Sequence, residues 1–256
     1  MLKGVSIPKA IIVPARLQSI RFPRKLLHPV QGEPLILHTA RQVKAVAPET
    51  PVFFAIAEEE LKSVLESEGY SCVMTDPDLA SGTDRIAYAN REILADQVVN
   101  VQADEPLVSG RQIAELFSLL DSSAGMSTLA VRLTDPARIN DPSQVKVVMD
   151  QQGRALYFSR APIPWDRESK GYPTKERLET IKVFGHLGLY GYQGRFLERF
   201  VDLKPSPLER IERLEQLRVL ENGIEIKVGV TEESTIGVDT PEDLVRLERA
   251  LDARST

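Results

Sequence analysis

Residues 14–25, PARLQSIRFPRK, place four cations, Arg16, Arg21, Arg24 and Lys25, directly after the apolar run KAIIVPA. The chain as a whole carries a formal net charge of −5, so this positive charge is a local feature. In α/β folds ligands bind beyond the carboxyl ends of strands, and Arg and Lys are the side chains that neutralise and orient phosphate. The segment fits an anion site, and it also fits a solvated basic loop. It contains neither G-x-x-x-x-G-K-[ST] nor G-x-G-x-x-G, which separates it from P-loops and dinucleotide-binding turns. Two carboxylates stand in comparable places. VVNVQADEP (98–106) runs an apolar strand into Asp104 and Glu105, and TIGVDTPEDL (235–244) runs a short apolar segment into Asp239. Taken singly, each Asp reads as a turn or helix-entry residue. Taken as a pair facing a basic loop, they would hold a divalent ion against phosphate oxygens.

The elements that must carry these residues follow from the patterning. Apolar, β-branched runs recur at 9–15, 51–57, 72–75, 97–102, 127–133, 145–149, 155–158, 186–192 and 225–230. Several are continuous rather than alternating, as in strands buried on both faces. Helical patterns over 33–46, 58–68, 83–94 and 110–121 alternate with the early strands, which predicts an α/β fold with a mostly parallel sheet. After about residue 125 strands follow one another with few helices, an antiparallel extension or subdomain. PSPLERIERLEQLRVLENG (205–223) reads as one helix, with Leu208, Ile211, Leu214 and Leu217 three apart and Gly223 as its stop. The last helix starts at DTPEDL, with Thr240 as N-cap, Pro241 at the first helical position and Asp243 three residues after the cap. The polar, basic stretch 166–182 is expected to be a mobile loop. No repeat or linker divides the 256 residues into independent domains.

Composition narrows the function classes. The acidic balance argues against a nonspecific nucleic-acid partner. The first apolar run is too short for a membrane span or a signal sequence, so no membrane insertion is expected. The single cysteine, Cys72, cannot form an internal disulfide and reads as a small buried hydrophobe. A cytoplasmic location is the expectation.

Seven stretches in register also resemble a known family. They are PARLQSIRFPRK, DPDLASGTDR (76–85), NVQADEP (100–106), ALYFSRAPIPWDR (155–167), HLGLYGY (186–192), LEQLR (214–218) and GVDTPEDL (237–244). Together they look like the CMP-Kdo synthetase (3-deoxy-manno-octulosonate cytidylyltransferase) family. The resemblance implies a single cytidylyltransferase domain over 1–256. Its Rossmann-like nucleotidyltransferase core would carry a smaller dimerisation and sugar-binding extension within about 127–200, Mg2+ dependence and a homodimer. It places Pro14, Ala15, Arg16, Lys25, Ser81, Gly82, Thr83 and Gln102 on CTP. Arg16 and Lys25 would lie on the triphosphate, and 81–83 at the cytosine end. Asp104 and Asp239 match metal ligands. Arg21, Gln102, Arg160, Arg167, His186, Tyr190, Glu215 and Gln216 match positions around the sugar acid. Arg suits the acid's carboxylate, and His, Tyr, Glu and Gln suit its hydroxyls. Taken alone, His186 reads as a core histidine, and Glu215 and Gln216 as the polar face of a helix.

This chain departs from the family pattern at three positions. Arg24 and Ala103 replace glycines, and Leu26 replaces a proline. Arg24 would carry strain if its position needs a positive φ, or it would add a phosphate contact. The activity implied is CTP plus Kdo giving CMP-Kdo and diphosphate, with Lys25, Arg16, Asp104 and Asp239 carrying catalysis. The product would serve lipopolysaccharide core synthesis. The alternatives are the same reaction on 8-amino-Kdo or another 2-keto sugar acid, a glycosyltransferase that consumes a nucleotide sugar, and a non-catalytic nucleotide sensor. A D-x-D motif is absent from QADEP, which weighs against the glycosyltransferase. Retention of Asp104, Asp239 and Lys25 weighs against the sensor.

Overall fold

A computed structural model describes residues 6–19, 22–120, 124–171, 173–233, 235 and 237–254. Arg21 lies outside them. The chain forms two compact units, Met1–Ala114 with Thr235–Thr256, and Glu115–Ser234.

The first unit is built on parallel strands. β1 (Ile7–Ala15) is followed by a single 3-10 turn, Lys25–Leu27, and by a short hairpin of β2 (Pro29–Val30) and β3 (Glu33–Pro34). Then come α1 (Leu35–Val46), β4 (Val52–Ile56), α2 (Glu59–Ser67), β5 (Ser71–Met74), α3 (Gly82–Ile93), β6 (Ala95–Asn100) and α4 (Gly110–Ser118), within which the unit boundary falls. The strand order is β6-β1-β4-β5, every pair parallel. β1 is central, and Ala10 through Val13 are wholly buried, which explains its unbroken apolar run. Leu61 and Leu65 of α2 are wholly buried, as are Ile86 and Ala89 of α3. Burying such aliphatic side chains contributes roughly 1.5–3 kcal/mol each.

The second unit contains β7 (Met126–Leu133), α5 (Pro136–Asn140), β8 (Lys146–Met149), β9 (Ala155–Ser159), α6 (Arg177–Thr180), β10 (Val183–Gln193), α7 (Gly194–Asp202), α8 (Pro207–Glu212), α9 (Gln216–Glu221) and β11 (Ile226–Thr231). β11 pairs parallel to β7, and β7-β10-β8-β9 run antiparallel. The expected 127–200 extension lies inside this unit. The basic stretch 166–182 holds a bridge between Asp166 and Gly171 and the one-turn helix α6. The chain then returns to the first unit with α10 (Pro241–Arg254). Pro241 opens α10, and the Asp243 carboxylate accepts from the Thr240 N–H at 3.0 Å and the Asp239 N–H at 3.1 Å.

The expected helix over 205–223 is two helices. Arg213 adopts φ 55, ψ 45 and ends α8, and α9 begins at Gln216. The reason lies in the spacing. Residues three apart rotate about 300° around a helix, so each step precesses about 60° and Leu208 would face away from Leu217. The chain keeps Leu214 and Leu217 buried and leaves Ile211 78% exposed. Gly223, at φ 68, does end α9.

Candidate active site

The predicted anion loop leaves the buried end of β1, so Pro14 and Ala15 are fixed by their register with Ala55 and Ile56 of β4. The loop is tied down beside α2. Glu58 Oε1 accepts from the Leu17 N–H at 2.9 Å, and the Arg24 N–H donates to the Leu17 carbonyl at 3.2 Å. Arg24 sits at φ 59, ψ 24, a left-handed conformation that costs a non-glycine residue about 1–2 kcal/mol. Its guanidinium turns outward to Glu60 Oε1 at 2.5 Å and does not line the cavity described below. Of the two readings of Arg24, the structure supports strain.

Arg24 delivers Lys25 inward. The Lys25 side chain is 13% exposed. Its Nζ donates to Asp104, to Asp239 Oδ1 at 3.1 Å and to the Val238 carbonyl at 2.9 Å. The two carboxylates come from distant segments, joined where the Val238 N–H donates to the Asp104 carbonyl at 3.0 Å. Burial pulls the Lys25 pKa down, and the charges and hydrogen bonds of Asp104 and Asp239 more than reverse it, leaving it raised. Lys25 is therefore a permanent cation between two carboxylates. Beside them, burial and the Asp104 charge push the Glu105 carboxyl up to about 7, although Thr235 hydrogen-bonds to it.

A cavity of about 740 Å3 opens in this unit. Pro14, Ala15, Arg16, Lys25, Ser81, Gly82, Gln102 and Asp104 line it, which brings together most of the predicted nucleotide set. Thr83 is buried in α3 and does not line it. The Ser81 hydroxyl is engaged as the N-cap of α3, accepting from the Asp84 N–H at 3.1 Å and donating to Asp84 Oδ2 at 2.8 Å. Gln102 Nε2 donates to Asn100 Oδ1 at 3.4 Å. Ala103 is buried in the wall, and its carbonyl accepts from the Thr39 hydroxyl at 2.8 Å. Sequence reasoning missed Arg85, a buried lining residue that lies inside the quoted DPDLASGTDR stretch.

The second unit gathers part of the predicted sugar set. His186 on β10 packs edge-on to Phe158 at 4.9 Å and tilted to Tyr190 at 5.4 Å. The Thr128 hydroxyl donates to the Leu189 carbonyl at 2.8 Å and lies 2.9 Å from His186 Nε2, which fits an Nε2–H tautomer. Burial pushes the His186 pKa down to about 3, so the ring is neutral. The Tyr190 hydroxyl donates to Gln216 Oε1 at 3.3 Å, while the buried Gln216 Nε2 has no hydrogen-bond partner among the described residues. Glu215 precedes Gln216 at the start of α9 and raises the Tyr190 pKa, after burial and Tyr192. Arg160 is held elsewhere, its guanidinium donating to the Glu212 carbonyl at 2.8 Å and the Pro142 carbonyl at 3.1 Å. Arg167 is exposed on the 166–171 turn and shares no hydrogen bond or ion pair with the His186 group among the described residues. Lys146 was not foreseen. It is wholly buried, and its ammonium donates to the carbonyls of Asp141, Gln144 and Arg160 at 2.6–2.9 Å.

An α/β unit with a phosphate-sized basic loop, a nucleotide-sized cavity and a lysine between two carboxylates defines a nucleotide-binding protein of the transferase kind. Residues 10–226 match the family model described as Cytidylyltransferase, and the chain belongs to the cytidylyltransferase family. It is 42% identical over 245 residues to a 3-deoxy-manno-octulosonate cytidylyltransferase of Chloroherpeton thalassium, covering 94% of this chain and 96% of that one. It is 41% identical over 247 residues to an 8-amino-3,8-dideoxy-manno-octulosonate cytidylyltransferase of Shewanella sp. (strain ANA-3), covering 94% and 97%. Among solved structures, CMP:2-keto-3-deoxy-manno-octonic acid synthetase complexed with CTP superposes with a TM-score of 0.88 at 33% identity, covering 98% of this chain and all of that one.

Proposed function

We propose that this protein activates a 3-deoxy-2-keto sugar acid, Kdo, with CTP, giving CMP-Kdo and diphosphate. The observation that carries the reading is Lys25 held between Asp104 and Asp239 at the 740 Å3 cavity, in a chain similar to enzymes of that name. The anomeric hydroxyl oxygen forms a bond to the α-phosphorus as the bond to the bridging oxygen breaks, and the hydroxyl proton passes to solvent. Such transfer rests on positioning and charge neutralisation. Arg16 and Lys25 would neutralise the leaving diphosphate, and Gln102 would lie between the substrates.

The residues fit a divalent cation. Asp104 and Asp239 are hard oxygen donors, and they already converge on one positive group, the Lys25 ammonium. They would hold Mg2+, which when bound lowers the pKa of the attacking hydroxyl and stabilises charge on the phosphate oxygens. In the second unit His186, Tyr190, Gln216 and Glu215 are the proposed sugar-reading group, and Arg160, now engaged by the Glu212 and Pro142 carbonyls, and the exposed Arg167 are proposed for the acid's carboxylate. A homodimer formed through the 127–200 extension and a cytoplasmic location complete the proposal. No helix among the described residues is long and apolar enough to cross a membrane.

The similarity to 8-amino sugar enzymes supports a second reading, the same chemistry on the amino analogue. The test is diphosphate release from CTP and Mg2+ with Kdo and with 8-amino-Kdo in parallel. Release with Kdo upholds the first reading, release only with the amine upholds the second, and no release with either rejects both.

A further inference from the structure

Lys146 is a buried charge that the chemistry proposed above does not use. It is wholly buried on β8, the strand between β9 and β10, where it pairs with Ser159 on one side and Gly185 on the other. One neighbour therefore precedes Arg160 in the chain and the other precedes His186. Its three hydrogen bonds all go to backbone carbonyls, those of Asp141, Gln144 and Arg160. The carboxylates of Asp141 and Glu212 favour its charge only through space, and the Arg160 guanidinium opposes it. Taking an ammonium out of water is costly, and neutral carbonyls offset less of that cost than a bonded carboxylate would.

The three bonds converge on Arg160. Lys146 grips the Arg160 carbonyl directly at 2.7 Å. Its bonds to Asp141 and Gln144 close the turn 141–144 from within, and the Pro142 carbonyl of that turn accepts from Arg160 Nη1 at 3.1 Å. Glu212 holds the other side. Its carboxylate accepts from the Arg160 N–H at 3.0 Å and the Ser159 hydroxyl at 2.6 Å, and its carbonyl accepts from Arg160 Nε at 2.8 Å. The same turn is keyed to β10. Gln144 Nε2 donates to the His186 carbonyl at 3.2 Å, and the His186 N–H donates to the Val145 carbonyl at 2.8 Å. Gly185 permits that approach, since a Cβ there would lie 2.8 Å from Gln144 Nε2. Arg160 is thus held in place by protein contacts alone, with its Nη2 making no hydrogen bond among the described residues. A guanidinium offers more donors than the two carbonyls take, and a fixed fork suits a carboxylate.

We infer that Lys146 is a positioning residue for recognition of the sugar acid: it fixes the backbone of Arg160 and the turn that seats the guanidinium, so that Arg160 meets the acid's carboxylate already oriented. The inference rests on the reading that Arg160 takes that carboxylate. A guanidinium held in advance loses little rotamer freedom on binding, whereas a loosened one must be ordered by the ligand, which weakens binding.

The test is steady-state diphosphate release with whichever of Kdo and 8-amino-Kdo the wild-type protein turns over, together with calorimetry of CTP. Lys146→Met keeps the side chain's length and loses the ammonium. Its KM for the sugar acid is expected to rise at least about tenfold, with kcat within about threefold and CTP affinity within about twofold of the wild type. Leu197→Ala, a core truncation on α7 of the same unit, should leave that KM within about twofold. In an Arg160→Ala background Lys146→Met should raise it no further, because the two residues act as one. A second reading uses the wild-type protein labelled with 15N-lysine and stands even if Lys146→Met folds poorly. The Lys146 ammonium resonance should move when the 2-deoxy analogue of the sugar acid, which lacks the attacking hydroxyl, saturates the CTP complex, and should stay in place with CTP alone. An unchanged sugar-acid KM in folded Lys146→Met, a loss shared by kcat and CTP affinity, an equal rise in Leu197→Ala, an additive rise in the Arg160→Ala background, or an ammonium signal indifferent to the analogue would each overturn the inference and leave the proposed function intact. A wild-type protein that releases no diphosphate with either sugar acid overturns both.

Discussion

Replacing Lys25 with methionine removes the ammonium that holds Asp104, Asp239 and the Val238 carbonyl together. The methionine fills most of the space, so the loss is electrostatic. Two carboxylates that bond one ammonium lie on the order of 5 Å apart, and at an effective dielectric near 20 they repel by about 3 kcal/mol. The Asp239 side chain is 47% exposed, and solvent and salt reduce that repulsion to about 2 kcal/mol. In a chain of this size each kcal/mol shifts Tm by about 2–4 °C, so Lys25→Met should melt about 4–8 °C below the wild type at low salt with chelator present. Raising the ionic strength should narrow the gap. Millimolar Mg2+ should raise the variant's Tm more than the wild type's, because the variant presents a carboxylate pair with no resident cation. Differential scanning calorimetry under the three conditions reads each effect. A variant as stable as the wild type in chelator, or one that Mg2+ stabilises no better, would refute this account of the cluster.

Other outcomes follow from single residues. Arg24→Gly should relieve the left-handed backbone, worth about 1 kcal/mol, while losing an exposed Glu60 pair worth less than about 1 kcal/mol. Its Tm should equal or exceed that of the wild type, with CTP affinity by calorimetry unchanged within about twofold. Burial holds the His186 pKa at about 3 against 6.5 for a free ring. Between those values the unfolded chain binds the extra proton, so the contribution is fully present above pH 6.5 and falls by up to about 1.4 kcal/mol per pH unit as pH drops. Denaturant titrations at pH 7 and 5 should show His186→Gln losing less stability on acidification than the wild type. Lys146→Ala leaves three part-buried carbonyls without their shared ammonium and should cost about 2–3 kcal/mol, read by the same titrations at pH 7.

Much of the first unit was legible because its signals are local. Continuous apolar runs gave β1, β4 and β6, and the patterns between them gave α1, α2 and α3 to within a residue or two. The chemistry of Lys25, Asp104 and Asp239 was visible as residue types at strand ends, and the family resemblance joined them. The Val238–Asp104 backbone bond that does so in space has no signature in spacing. The break at Arg213 was hidden because a three-residue repeat looks helical over two turns and fails over three. Arg85 went unnoticed because an Arg one turn after a serine cap usually reaches solvent. Its one sequence signal is its place on the buried stripe of Ile86 and Ala89. Burial of Lys146 and the rise of the Glu105 pKa are products of tertiary packing, and no window of sequence contains them.

The central claim is tested most directly by following diphosphate released from CTP by the purified protein at saturating Mg2+, with and without Kdo, for the wild type, Asp104→Asn and Asp239→Asn. The account predicts release that requires the sugar acid and falls by at least about 100-fold in each variant, as expected when charge stabilisation of the transferred phosphoryl group is removed. Near wild-type turnover in either variant, or release that ignores the sugar acid, would contradict it.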